Sequence, residues 1–238
     1  MKKIIFTSLI LILIFSCGNK LEKKGFQVAI ENDEIIEGIE KDTFELRTRP
    51  KNILKTYYSK HRLSTIYKIN YNKKTKTYFT GENYFHSNYS DGNREGNQWN
   101  NNFMPGFEAV YGYNMVNVSH FDMETKTRND LFDKDVLIRT LYYPAFSKDT
   151  LNFTTISRNF YMVSVYDEDT NKDGFINIKD LRRFYYFDIN GKNKELLIPN
   201  NFSVMSSEYD SENDFMYIYA RIDSNKNGRK RENKSFLD

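Results

Sequence analysis

Between Asp169 and Asp180 the chain reads DTNKDGFINIKD, and oxygen-bearing side chains fall at fixed places along it. Asp169 is first, Asn171 third, Asp173 fifth, Asn177 ninth and Asp180 twelfth. Short polar side chains on alternate residues can converge if the backbone turns sharply after the fifth. Gly174, at the sixth place, allows that turn because it has no Cβ to strain. Such an array suits coordination of a hard divalent cation, and Ca²⁺ takes about six to eight oxygens at roughly 2.3–2.6 Å in a flexible shell. Asp169, Asn171 and Asp173 would supply the first ligands, Phe175 its backbone carbonyl, Asn177 a direct or water-held contact, and Asp180 the closing carboxylate. Ile176 has no side-chain oxygen and is expected to enter the core, pinning the loop. A plain polar turn explains any three of these residues, since Asn, Asp and Gly favour turns on their own account. It does not explain agreement at the fifth, sixth, eighth, ninth and twelfth places together.

The stretch matches an EF-hand loop, and its DxNxDGxINxxD form resembles the dockerin version. The resemblance implies Ca²⁺ as the bound ion. Asp180 stands where an ordinary EF-hand has Glu, so the shorter carboxylate must come nearer or bind through one oxygen. EF-hands and dockerins flank the loop with helices, whereas NFYMVSVY before it and LRRFYYFDI after it read largely as strands. Ca²⁺ between strands would staple a hairpin; it would not swing helices apart as a sensor does. A second stretch, DSNKNGRKRENK from Asp223, fits the first half of the pattern through Asp223, Asn225, Asn227 and Gly228. Its eighth and twelfth places are Lys230 and Lys234, which cannot ligate Ca²⁺, so it reads as a decayed loop or a plain turn. Dockerins carry a pair of good loops.

The elements that must hold the first loop are β-strands. Tyr and Phe number 18 and 19 against only 4 Pro, a composition that fits half-buried pleated surfaces. From Leu54 onwards, short apolar and aromatic runs recur between polar turn clusters, and LSTIYKINYNKKTKTYFTG carries a hairpin signature. SNYSDGNREGNQWNNNFMPG is expected to be a long surface loop. FDMETKTRNDLF from Phe121 and FDINGKNKELLI from Phe187 align without gaps, each a strand ending in FD, a polar turn and a returning strand. Repeated hairpins mark stacked β units. These segments resemble TolB-like or WD40-like β-propeller proteins and bacterial lipoproteins of that sort, over roughly Leu54 to Asn227. The expected fold is all-β, a β-propeller-like array of antiparallel hairpins, complete or cut short, with few or no helices.

The chain opens with basic Lys2 and Lys3, an apolar run from Ile4 to Phe15, and small Ser16 before Cys17. That run is shorter than the about 20 residues of a spanning helix and reads as a secretory leader. IFSC resembles a bacterial lipobox, which implies lipidation of Cys17 after cleavage and a membrane partner through that anchor. The GNK that follows has no Asp beside the cysteine, which in Gram-negative bacteria fits an outer-membrane address. Cys17 is the only cysteine, so no internal disulfide forms. The expected organisation is a leader over 1–16, a lipidated tether over 17–51 and a β domain over 52–238. Lys and Arg number 35 against 32 Asp and Glu, and loss of Lys2 and Lys3 with the leader brings the balance near neutral. Nothing in that balance argues for a nucleic-acid partner. The chain lacks G-x-S-x-G, a phosphate-binding glycine loop and H-E-x-x-H. His61, His86 and His120 lie far apart in sequence and read as satisfied histidines. Trp99, in the long Asn-rich loop, is a candidate for stacking on a sugar. The expectation is an exported, calcium-binding protein with a protein or glycan partner. The alternatives are a glycan-acting hydrolase or lyase with a structural Ca²⁺, and a dockerin-like docking module.

Overall fold

The computed structural model describes residues 25–27, 48–72, 74–80, 83–86 and 104–229. Among them there is no helix, and every regular element is a strand. In chain order these are β1 (Gly25–Gln27), β2 (Thr48–Lys55), β3 (His61–Asn72), β4 (Thr77–Thr80), β5 (Asn83–His86) and β6 (Phe107–Asp122). Then come β7 (Thr127–Asp130), β8 (Leu137–Pro144), β9 (Asp149–Leu151), β10 (Thr154–Ile156) and β11 (Phe160–Tyr166). The last are β12 (Phe175–Asn177), β13 (Arg183–Asp188), β14 (Glu195–Leu196), β15 (Phe202–Asp210) and β16 (Phe215–Ile222).

Ten strands make one sheet whose main path runs β14-β13-β11-β8-β6-β3-β2, with β4 on β3 and with β5 and β7 on β6. Every pairing is antiparallel. The all-β expectation therefore holds, but no closed barrel or propeller is formed among the described residues. The two FD hairpins are real: β6 returns as β7 with Asp122 opposite Thr127, and β13 returns as β14 with Tyr186 opposite Glu195. In each, the aspartate accepts backbone N–H bonds from the turn, from Glu124 and Thr125 to Asp122 and from Asn190 and Lys192 to Asp188. Both belong to the same sheet. The likeness between them extends to the turn, where the aspartate plays the same part in each.

Period-two alternation gives the sheet two apolar faces. Along β11, Tyr161, Val163 and Val165 enter one core with Leu63, Tyr67, Val118, Ile138, Leu141 and Phe187. Phe160 and Met162 face the opposite way, with Phe107, Tyr142 and Phe184. The hairpin of β15 and β16 covers that second face through Val204, Tyr209, Met216 and Ile218. Arg158 clasps the hairpin from the side, its Nη1 and Nη2 donating to the Asp214 carboxylate at 2.9 and 2.5 Å, while its Nε donates to the Pro105 carbonyl. Strand β2 begins at Thr48, within the stretch expected to be tether.

Candidate metal centre

The loop from Asp169 to Asp180 lies between the main-sheet strands β11 and β13, with the short strand β12 inside it. Its backbone is left-handed at Lys172 (φ 56°) and at Gly174 (φ 80°). The aspartates use these turns to gather N–H donors. Asp169 accepts from Asp173 N at 3.0 Å and from Gly174 N at 2.8 Å. Asn171 Oδ1 accepts from Asp173 N, and Asp173 Oδ1 from Phe175 N. The Asn177 amide nitrogen lies 3.4 Å from both Asp173 Oδ1 and the Phe175 carbonyl, so three predicted ligand positions meet at one spot. Ile176 is buried with Ile66, Val116, Leu137 and Tyr166, as expected for the residue that pins the loop.

Asp180 closes the loop from inside the protein. It has no solvent exposure. Asn177 N donates to its Oδ2 at 2.7 Å and Asn171 N to its Oδ1 at 3.3 Å. Burial, with the Asp169 charge adding to it, nevertheless pushes the Asp180 carboxyl up to about 6. These hydrogen bonds, with the Thr170 hydroxyl 3.3 Å from Oδ1, favour the anion, but loss of water outweighs them. The donor set is oxygen throughout, the chemistry Ca²⁺ prefers. Among the described residues, no three His, Cys, Asp or Glu side chains are drawn together as a metal cluster. A shell at this loop would therefore have to take in the amides and the Phe175 carbonyl beside the carboxylates.

The second stretch is more than an unrelated turn. Gly228 N donates to Asp223 Oδ2 at 2.9 Å, as Gly174 N does to Asp169. Asn227 N donates to Asn225 Oδ1, as Asp173 N does to Asn171. Lys226 and Gly228 are left-handed, with φ 53° and 66°. The two half-loops touch. The Thr170 hydroxyl donates to the Gly228 carbonyl at 2.7 Å and accepts from Leu181 N at 2.9 Å. A Cβ on Gly228 would lie 1.8 Å from the Thr170 carbonyl oxygen, so no other residue fits there. Asp223 is buried, and its Oδ1 has no hydrogen-bond partner among the described residues. The contact between Thr170 and Gly228 is one that the motif alone did not name. The repeated D-x-N-x-[DN]-G spacing was the signal for it.

A further contact comes from the stretch expected to be tether. β1 pairs antiparallel with β12, placing Gly25 opposite Asn177, Phe26 opposite Ile176 and Gln27 opposite Phe175. Cys17 and Trp99 lie outside the described residues, as does most of the long Asn-rich loop. His61 and His120, distant in sequence, meet across β3 and β6 with Nδ1 and Nε2 3.1 Å apart, and both are buried. Burial holds each below the ordinary histidine value, with the neighbouring imidazole adding to this at His61. They are satisfied by each other and, at His120, by Asn129. No family model matches the chain, and no curated protein or solved structure is found to be similar to it.

Proposed function

We propose that the chain is an exported, lipid-anchored protein of the cell envelope, that its Asp169–Asp180 loop holds one Ca²⁺ as a structural ion, and that it works as a binding or scaffold protein. Asp180 carries the calcium reading. It is a fully buried carboxylate with no ion pair among the described residues, and its neighbour Asp169 is a second negative charge. A buried charge without a counter-charge is costly, and it is relieved by a proton or a cation. Asp169, Asn171, Asp173, the Phe175 carbonyl, Asn177 and Asp180 would hold the ion, which would supply that missing positive charge. Because β11 and β13 flank the loop, the ion acts as a staple between strands. That setting speaks against the helix-flanked dockerin module. The propeller-like resemblance enters through the recurring FD hairpins. Lipidation of Cys17 rests on the leader that precedes it, and a glycan partner on Trp99.

The test is a thermal melt of the full chain in detergent, with Ca²⁺ and with chelator. At about a hundredfold excess over Kd, binding to the folded state alone contributes about 2.7 kcal/mol, a rise of roughly 5–10 °C for a chain of this size. Asp173→Ala should abolish the rise. An unmoved melting point, or an equal rise in the variant, overturns the calcium reading.

A further inference from the structure

A cleft of about 270 Å³ opens between the main sheet and the β15–β16 hairpin. Pleat and register explain how it is lined. Tyr111 on β6 stands opposite Thr140 on β8, Thr140 opposite Ser164 on β11, and Ser164 opposite Phe184 on β13. One row of side chains thus crosses four strands on the face that the hairpin covers, and Tyr142 and Arg182 extend it by one step each. Arg139 reaches the same cleft for a different reason. On both sides of β8 the pairing jumps from Ile138 to Thr140, so Arg139 is the extra residue of a bulge. A bulge re-aims a side chain that strict alternation would send to the other face.

The charges in this cleft do not balance. Arg139 and Arg182 both line it, and no carboxylate does. Neither arginine makes an ion pair among the described residues. Arg182 is half-buried and fixed on one edge, its Nε donating to the Val204 carbonyl at 2.8 Å and its Nη2 to Met205. Its Nη1 has no acceptor among the described residues. Two guanidinium groups sharing a small site repel each other, and half-burying one without an anion is costly. The lining also includes the hydroxyls of Thr140, Ser164 and Ser207 and the rings of Tyr142 and Phe184.

We propose that this cleft binds a small sugar carrying an oxyanion, with the carboxylate or phosphate group between Arg139 and Arg182 and the ring against Tyr142 and Phe184. Arginine forks match both oxyanions in geometry. The hydroxyls suit a polyhydroxylated ring, and the volume admits one sugar unit. The site goes beyond the calcium reading and does not require it, so binding should persist in Asp173→Ala.

The experiment is calorimetric titration of the full chain in detergent with glucuronate, glucose 6-phosphate and neutral glucose. Binding of glucuronate alone identifies a carboxylate, binding of glucose 6-phosphate alone a phosphate, and binding of both the shared chemistry; each supports the site. Arg139 is exposed and no hydrogen bond holds it among the described residues, so Arg139→Ala should melt as the parent does while losing about tenfold or more in affinity. Arg139→Lys should fall between the two. Glucose binding as tightly as the anions, no binding by any of the three, or affinity unchanged in Arg139→Ala overturns the proposal.

Discussion

Through a single carboxylate, Asp180 would link pH to the proposed metal. Its carboxyl is raised to about 6, chiefly by burial, whereas an unfolded aspartate loses its proton near pH 4. The folded state therefore keeps the proton to higher pH than the unfolded one does. The stability this contributes is complete below about pH 4 and is lost as pH rises through about 6. Above that, the bare loop carries a buried negative charge that a cation would offset, whereas below it the proton competes with the cation. The rise in melting point caused by Ca²⁺ should thus be several degrees larger near pH 7.5 than near pH 5. Measuring the rise as a difference at each pH cancels the opposite trend of the His61–His120 pair, whose lowered values make the fold less stable as pH falls below about 6.5. Equal rises at the two pH values would detach Asp180 from the cation.

At the scale of elements, the β15–β16 hairpin depends on a clasp as well as on its apolar face. Asp214 receives both Arg158 nitrogens and the Tyr209 hydroxyl, and Arg158 is almost fully buried. Asp214→Ala would leave that guanidinium without its anion. The expected cost is about 2 kcal/mol, discounted because Asp214 itself is partly exposed to water. A urea midpoint measures the cost, and amide exchange should show it concentrated in residues 202–222. Unchanged exchange there would mean that Val204, Tyr209, Met216 and Ile218 hold the hairpin unaided. The hairpins themselves were legible in the sequence, because alternation and turn residues within a few positions determine them: β3 with β4, and the two FD turns. The Asp169–Asp180 loop was legible for the same reason. Order within the sheet was not, since it depends on which distant strands share an edge. Nor was the cleft legible: Arg139 reaches it only because the pairing along β8 slips at that residue. The second half-loop was undervalued for a similar reason. Lys230 and Lys234 argue against a metal there, but Gly228 is required by contact with Thr170.

For the molecule as a whole, the sheet carries apolar side chains on both faces, one face closed partly by Leu131, Phe132 and Val136 and the other by the last hairpin. The loop of Asp169–Asp180 sits where three parts of the chain meet: the sheet through Ile176, the C-terminal half-loop through Thr170, and the N-terminal strand through β12. A chain beginning at Val28 would lack β1 and leave one edge of β12 without its partner. Its affinity for Ca²⁺ should fall several-fold by calorimetry, with the main sheet intact by circular dichroism. An unchanged affinity would show that β1 merely rests on the loop.

The β1 pairing also changes how far the protein can wander. With the lipid on Cys17 as proposed, the leash is the few residues from there to Gly25, not the whole charged stretch up to β2. Even drawn straight, it spans no more than about 30 Å. The molecule would then lie close against the bilayer, the edge bearing β12 turned towards the headgroups, and only its far side would be left to greet whatever drifts past.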